Sequence, residues 1–363
     1  MELTLFLVFG LIALIIGAEF LIKGASGLAL SLGISPLIVG LTVVALGTSA
    51  PELVVSIKAT LIGNSNIAIA NVVGSNIFNV LFVLGLCAIA SPLLVRSQLV
   101  KLDLPIMVLA SFLCLVFALD GALSFIEGAF FCTIIVTYTY LLINKSRHES
   151  KKTKEELLST KNHTGSPKPQ ILKNILSLSF GLAIMLLGGD YFVEGAIQLA
   201  KYLGFSDTII GLTVVAIGTS LPEVVASLMA TIKGERDLAI GNVVGSNIYN
   251  IFLILGLSSM LSNEGLTVSQ ELINFDIPVM IAASIACLPI FAGLKMRRWE
   301  GLMFFSGFVV YTTYLILKST HHSMFNNYNQ ALQYLIVPTF ILVFLAISFN
   351  VVQKYRKKLI QLS

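Results

Sequence analysis

An all-α polytopic membrane protein, built as two inverted five-helix repeats with one additional C-terminal helix, is the fold that three features of the sequence predict. The first is composition. Of 363 residues, 56% are hydrophobic and 12% are charged, whereas a soluble domain carries about 25% charged residues. The second is the gathering of apolar residues into runs of about 20, the length that crosses a hydrocarbon layer as a helix. A membrane barrel would instead alternate over strands of about 10 residues. The third is a long internal repeat: the segment that starts at Gly40 returns at Gly211.

Taken in order, the apolar runs define eleven spans. Five fall at roughly 3–30, 36–61, 67–91, 102–120 and 123–143. Five more fall at roughly 174–203, 207–232, 238–261, 273–293 and 299–318, and the last at roughly 331–352. The first span of each half is long enough to require tilt or a break. The chain begins Met1-Glu2 with no basic leader region, so its first apolar run reads as a retained helix. The organisation that follows is a first repeat over 1–143, a linker over 144–173, a second repeat over 174–318, and an extra span with a basic tail over 319–363.

The linker carries Lys145, Arg147, Lys151, Lys152, Lys154, Lys161, Lys168 and Lys173, with the turn formers Gly165-Ser166-Pro167. It reads as a flexible cytoplasmic loop. Five spans before it then put the N-terminus outside. The same assignment puts Arg96, Lys101, Lys233, Arg236, Lys295, Arg297 and Arg298 inside, together with the tail residues Lys354, Arg356, Lys357 and Lys358. Only Lys58, Lys201 and Lys318 fall near the outer face. Such asymmetry is what the positive-inside rule requires. It also accounts for the net charge of +4 without a nucleic-acid partner. The four cysteines, Cys87, Cys114, Cys132 and Cys287, lie within apolar runs and read as small buried hydrophobes, not as a disulfide framework or metal site. A multi-pass membrane chain with a short central loop and no obligatory protein partner fits a bacterial inner membrane.

The repeat is dense. Residues 40–56 read GLTVVALGTSAPELVVS and residues 211–227 read GLTVVAIGTSLPEVVAS. Residues 71–79 read NVVGSNIFN and residues 242–250 read NVVGSNIYN, at the same offset of 171. About 60% of positions from 40 to 85 are identical in the second copy, well beyond apolar bias. The match extends to Asp103-Leu104-Pro105 against Asp276-Ile277-Pro278, and to Glu127-Gly128 against Glu300-Gly301. An odd number of helices per copy makes the second enter the bilayer from the opposite side. Inverted repeats of this kind place a transporter's site at the midplane where they meet, although a channel could share the symmetry.

Chemistry is concentrated inside the repeat. Glu52 lies deep in the second apolar run, where an ionisable side chain is costly and marks a functional site with a partner. Thr48 and Ser49 share its helical face. Pro51 has no N–H to offer the carbonyl of Gly47, so a broken helix would expose carbonyls around Ala45, Gly47 and Thr48. On the next helix Asn71, Ser75 and Asn79 recur every four residues on one face. The second copy repeats the set with Thr219, Ser220, Pro222 and Glu223, then Asn242, Ser246 and Asn250. Carboxylates, hydroxyls, amides and carbonyls form an all-oxygen set suited to a hard cation such as Ca²⁺ or Na⁺, and the absence of His, Cys and Met from it argues against softer metals. The plainer reading has each serine bonding back to its own helix, Asn71 and Asn242 gluing helices together, and the glutamates held as protonated, hydrogen-bonded acids.

Other charges carry less. Glu19 and Lys23 are spaced to pair on one helix face, and Asp190 and Glu194 read as peripheral acids. Asp103, Asp276, Glu127 and Glu300 stand at span starts and read as helix caps or interfacial anchors. His148, His163, His321 and His322 fall in loops, so no nucleophile–base pair lies within a span and an enzyme is not indicated.

The paired G-T-S-x-P-E segments at 47–52 and 218–223, each followed by G-S-N-I-x-N at 74–79 and 245–250, resemble the cation/Ca²⁺ exchanger superfamily, most of all its prokaryotic Na⁺/Ca²⁺ exchanger branch. The likeness covers nearly all of 1–318 and leaves the eleventh span outside. It implies an electrogenic antiporter working by alternating access, with inorganic cations as cargo and no cofactor. By that likeness Ca²⁺ is held by Glu52 and Glu223 with the carbonyls of Thr48 and Thr219. Na⁺ is held by Ala45, Ser49 and Ser75 and by their mirror set Ala216, Ser220 and Ser246, with Asn79 and Asn250 completing the ring. One departure stands out: the well-described Na⁺/Ca²⁺ members carry Asp where this chain has Asn250. That leaves two central carboxylates, and leaves H⁺ as an alternative coupling ion to Na⁺.

Overall fold

The computed structural model of the chain describes residues 2–158, 170–203 and 218–360. Its helices in chain order are α1 (Glu2–Leu32), α2 (Pro36–Thr48), α3 (Ala50–Leu61), α4 (Ser65–Ala90), α5 (Leu99–Ala118) and α6 (Phe125–Leu158), then α7 (Ile171–Tyr202), α8 (Leu221–Ile232), α9 (Arg236–Leu261), α10 (Leu272–Ala292), α11 (Arg298–Ser319) and α12 (Phe325–Val351). Among the described residues nine helices are long and apolar enough to cross a bilayer, and α2 with α3 forms a tenth span bent by 45°. α8 is the sequence counterpart of α3. The residues before it, 204–217, lie outside the described set. The protein is an all-α multi-pass membrane protein, as its composition and apolar runs predict.

Inversion is visible as reciprocity: where residue i of the first half meets j of the second, the mates of i and j meet as well. Loops behave this way. β1 (Leu93–Leu94) pairs with β4 (Lys295–Met296), and β2 (Ala122–Leu123) pairs with β3 (Leu266–Thr267), both antiparallel. The sequence assigns both members of each pair to the same side of the membrane, so these clasps agree with the topology. Ser111 and its mate Ser284 meet each other across the symmetry axis at 3.2 Å.

The long first helices α1 and α7 lie antiparallel and backbone to backbone. A Cβ added at Gly17 would stand 2.7 Å from the Gly181 carbonyl oxygen, and one added at Gly181 would stand 2.6 Å from that of Gly17. Small residues permit this approach, the usual solution for helices that have no hydrophobic drive to associate in lipid. Both helices are continuous, at 31 and 32 residues. The alternative of a break is therefore not taken, and a length of about 46 Å requires tilt.

At the centre stand α4 and α9. Over their apolar windows 72% and 94% of residues are buried, against 6% for the peripheral α12. Both widen into π-helical turns at equivalent positions, Asn79–Leu84 and Asn250–Leu255. α5 and α10 do so at Leu99–Asp103 and Leu272–Asp276. Such turns recur at functional positions because they displace a carbonyl from the regular ladder.

Three readings of the sequence change here. α6 runs on to Leu158, so a helix continues into the segment read as a loop from 144. Asp103 and Asp276 do not cap helices. Each is buried and accepts a hydrogen bond from a tyrosine of the next helix, Tyr138 at 2.9 Å and Tyr311 at 2.7 Å. Glu19 pairs not with Lys23 but with Lys233 of the other half, at 2.8 Å. Glu127 and Glu300 do close helix starts: the Ser124 N–H donates to Glu127 Oε2 at 2.7 Å and the Arg297 N–H to Glu300 Oε2 at 2.6 Å.

Candidate cation site

Pro51 and Pro222 fix the local geometry. Each lies in the first turn of a helix, where a missing N–H is tolerated and the ring sets the helical φ. The chain ahead of each leaves helical geometry at a serine, Ser49 (φ −79°, ψ 9°) and Ser220 (φ −91°, ψ 8°). Glu52 and Glu223 then fall in the first turns of α3 and α8. The positive ends of two half-helices therefore stand beside the two carboxylates and offset part of their charge.

Both glutamates are fully buried, with no exposed surface. Neither faces lipid, and each reaches into the opposite half. Ser220 Oγ donates to Glu52 Oε1 at 2.8 Å, and Ser49 Oγ donates to Glu223 Oε1 at 3.0 Å. Ser75 Oγ adds a second donor to Glu52 Oε1 at 3.3 Å and lies 3.2 Å from Ser220 Oγ. Glu223 lies within electrostatic range of Glu52. Two buried acids and the serines that serve them thus occupy one place, contributed crosswise by the repeats.

The remaining predicted residues divide. Asn79 and Asn250 are fully buried at the first positions of the two π-helical turns. Ser246 is buried and its hydroxyl faces the Ala45 carbonyl at 3.5 Å. That carbonyl is not free, since it also accepts the Ser49 N–H at 3.0 Å. Thr48 Oγ1 donates to Asn242 Oδ1 at 3.0 Å and stands beside the Glu223 carboxylate, whereas Thr219 Oγ1 is buried without a described partner. Ala216 lies outside the described residues. Buried oxygens with no hydrogen-bond partner among the described residues include Glu52 Oε2, Glu223 Oε2, Asn79 Oδ1 and Asn250 Oδ1. Buried polar atoms are ordinarily satisfied, so a cluster of unpartnered acceptors marks the place where a cation would complete them. Among the described residues no three His, Cys, Asp or Glu side chains come together. The described residues offer a cation two carboxylates and neutral oxygens beside them.

Asn71 and Asn242 take the plainer of their two readings, and Asn76 and Asn247 escaped the sequence reading. Asn71 and Asn242 are braces: Asn71 Nδ2 donates to Ser56 Oγ at 2.9 Å and to the Glu52 carbonyl at 3.1 Å, and Asn242 Nδ2 donates to Ser227 Oγ at 2.9 Å. Each holds a glutamate-bearing helix to its neighbour. Asn76 and Asn247, unremarked within the motif, sit on the symmetry axis. Asn76 Nδ2 donates to the Asn247 carbonyl at 3.2 Å, and Asn250 Nδ2 donates to Asn76 Oδ1 at 3.0 Å. The signal for both was present, since each asparagine is duplicated at the offset of the acids.

Known proteins resemble this chain over most of its length. Residues 2–144 and 173–317 match the family model described as sodium/calcium exchanger protein. The putative antiporter CaxA of Alkalimonas amylolytica is 38% identical over 321 residues, covering 87% of this chain and 99% of that protein. The sodium/calcium exchanger MaX1 of Methanosarcina acetivorans is 37% identical over 349 residues, covering 86% and 98%. A solved structure of the sodium-calcium exchanger NCX_Mj, soaked with Na⁺ and Sr²⁺, superposes with a TM-score of 0.74 at 30% identity, covering 86% of this chain and 98% of that one. The match leaves α12 outside the family model, as the repeat does. The chain belongs to the sodium/calcium exchanger protein family.

Proposed function

We propose that the protein is a secondary antiporter that exchanges Ca²⁺ for Na⁺ across the cell membrane by alternating access, with Glu52 and Glu223 as the shared ligands. One observation carries this: the two glutamates are fully buried, each hydrogen-bonded to a serine of the opposite half, with a second oxygen that no described group satisfies. Thr48, Thr219, Ser49, Ser220, Ser75, Ser246, Asn79, Asn250 and the carbonyls of Ala45 and Ala216 supply the neutral oxygens of the Ca²⁺ and Na⁺ positions. Hard cations take such all-oxygen shells. Ca²⁺ and Na⁺ that use the same carboxylates compete for them, so one must leave before the other loads. Emptied, the site holds two uncompensated negative charges in a low-dielectric interior, and its passage across the membrane is suppressed. Exchange follows from these two facts without any longer-range coupling.

In this reading the N-terminus is outside and the 144–173 segment and the C-terminus are cytoplasmic, as the distribution of Lys and Arg requires. The two repeats, 1–143 and 174–318, form one transport unit. The neutral Asn250 favours a second reading for the counter-ion alone, H⁺ in place of Na⁺. The test is Ca²⁺ uptake into vesicles holding purified protein under imposed Na⁺ or H⁺ gradients. At Ca²⁺ below the parent's apparent KM, uptake should require an outward Na⁺ gradient and should fall about 30-fold or more in Glu52→Gln. Uptake of equal rate without any counter-gradient would contradict antiport, and uptake driven only by H⁺ would select the second reading.

A further inference from the structure

The duplication supplies a twin against which each surface furrow is read. Each half has a furrow between its fourth and fifth spans, related by an offset of 173 (Asp103 to Asp276). In the second half the furrow is about 650 Å³ and is walled by Phe275, Val279, Val310, Tyr311 and Tyr314. In the first half it is about 330 Å³ and is walled at the corresponding positions by Leu102, Ile106, Thr137, Tyr138 and Leu141.

The twins differ in two respects. α12 lies over the second-half furrow, bringing Leu332, Ile336, Phe340 and Phe344 to its wall, and the Tyr328 hydroxyl ties it to the Val310 carbonyl at 2.9 Å. The first-half furrow is lined by α5 and α6 alone. The rims also differ. Lys318 is ion-paired with Glu271. At the corresponding positions of the first half stand Lys145 and Gln98, so the acid is replaced by a neutral amide. Lys145 is exposed and lines the furrow. Among the described side chains the carboxylate within its electrostatic reach is Asp103, which is buried with Oδ1 taken by Tyr138. Lys101 adds an exposed cation where the second half has Asn274.

We propose that the first-half furrow binds an anionic phospholipid, with an acyl chain along Leu102, Ile106, Ile134 and Leu141 and the phosphate at Lys145, in the place that α12 fills in the second half. The walls belong to membrane spans, so lipid is what meets the furrow's mouth. Lipid tails are as apolar as the wall and gain little by entering. Selectivity therefore comes from the head group, through a basic rim at the cytoplasmic leaflet. A helix would need an acid to meet Lys145, whereas a phosphodiester brings one. The inference takes only the proposed orientation from the functional reading, and its test is blind to ion flux.

The experiment uses the full chain in detergent, offered equimolar phosphatidylglycerol and phosphatidylcholine of matched acyl chains, with bound lipid read by native mass spectrometry. Phosphatidylglycerol should be retained about fivefold over phosphatidylcholine, the preference expected for one cation at a membrane surface. Lys145→Gln should abolish the preference, and Lys318→Gln, whose charge is already paired, should leave it intact. Thr137→Trp, placed on the exposed wall where it does not threaten folding, should expel both lipids. Inorganic phosphate should not compete. Equal retention of the two lipids, a preference that survives Lys145→Gln, competition by phosphate alone, or a second copy of the chain held through this furrow would each overturn the proposal.

Discussion

Glu52→Gln separates charge from shape at the centre of the protein. Glutamine keeps the length of the side chain and an Oε1 that still accepts the Ser220 hydroxyl now placed at 2.8 Å, so the crosswise hydrogen bond survives and only the negative charge is lost. The residue is fully buried, so no water compensates. Removing one member of a buried, hydrogen-bonded charge pair costs about 2–5 kcal/mol. Applied to Ca²⁺ held between two carboxylates, that loss weakens apparent affinity by about 30- to 5,000-fold. Glu223→Gln should match it, because Ser49 serves Glu223 as Ser220 serves Glu52. The two acids act as a unit, so the double variant should lose little more than either single one. The assay is initial Na⁺-driven Ca²⁺ uptake into vesicles as a function of external Ca²⁺, at matched protein content. An apparent KM within about threefold of the parent in either variant would refute the reasoning, and so would losses that simply add in the double variant.

Three further outcomes follow from the packing. Ser49→Ala and Ser220→Ala each remove a donor to a buried carboxylate, a bond worth about 1.5–3 kcal/mol. The Ca²⁺-free variants should melt earlier than the parent, Ser49→Ala by more than Ser220→Ala because Ser75 still donates to Glu52. Tyr138→Phe and Tyr311→Phe strand the buried Asp103 and Asp276 and should each cost about 1–3 kcal/mol. Asp103→Asn keeps the acceptor and should cost less, as thermal unfolding in detergent would show. Gly17→Ala places a Cβ 2.7 Å from the Gly181 carbonyl and should force α1 and α7 apart, at a cost of about 1–3 kcal/mol, read as lower yield and melting midpoint.

The architecture was largely legible before any coordinates, because a bilayer imposes a length on each helix and a duplicated motif imposes a symmetry on the pair. The two glutamates were legible for the same reason: an acid at midplane depth, twice, beside a proline. What the linear pattern does not carry is which half each side chain serves. Ser49 and Ser220 were read as belonging to their own helix faces, yet each donates across the axis to the other repeat's acid. That crossing arises from the turn at each serine and appears only once the halves are packed. Asp103 and Asp276 were read as caps because they stand at the start of apolar runs. Each instead ends a π-helical turn, 99–103 and 272–276, that is already part of the helix, which places the acids inside, against Tyr138 and Tyr311. The helical course of α6 beyond 143 was hidden by its polarity, although residues 144–158 contain no glycine or proline and are rich in Lys, Glu and Leu, all strong helix formers. Asn76 and Asn247 were passed over because an asparagine among asparagines gives no local sign of lying on the axis.

The account rests on a single cation being shared by the two halves. The most direct measurement is a crystal structure of the protein soaked in Ca²⁺, or in Sr²⁺ for its stronger anomalous signal. It should show one dominant peak with a carboxylate oxygen of Glu52 and one of Glu223 both at about 2.3–2.6 Å, reduced when Na⁺ is in excess. A peak bound to only one of the two glutamates, or a pair of glutamates that binds nothing while Ca²⁺ sits elsewhere, would contradict it.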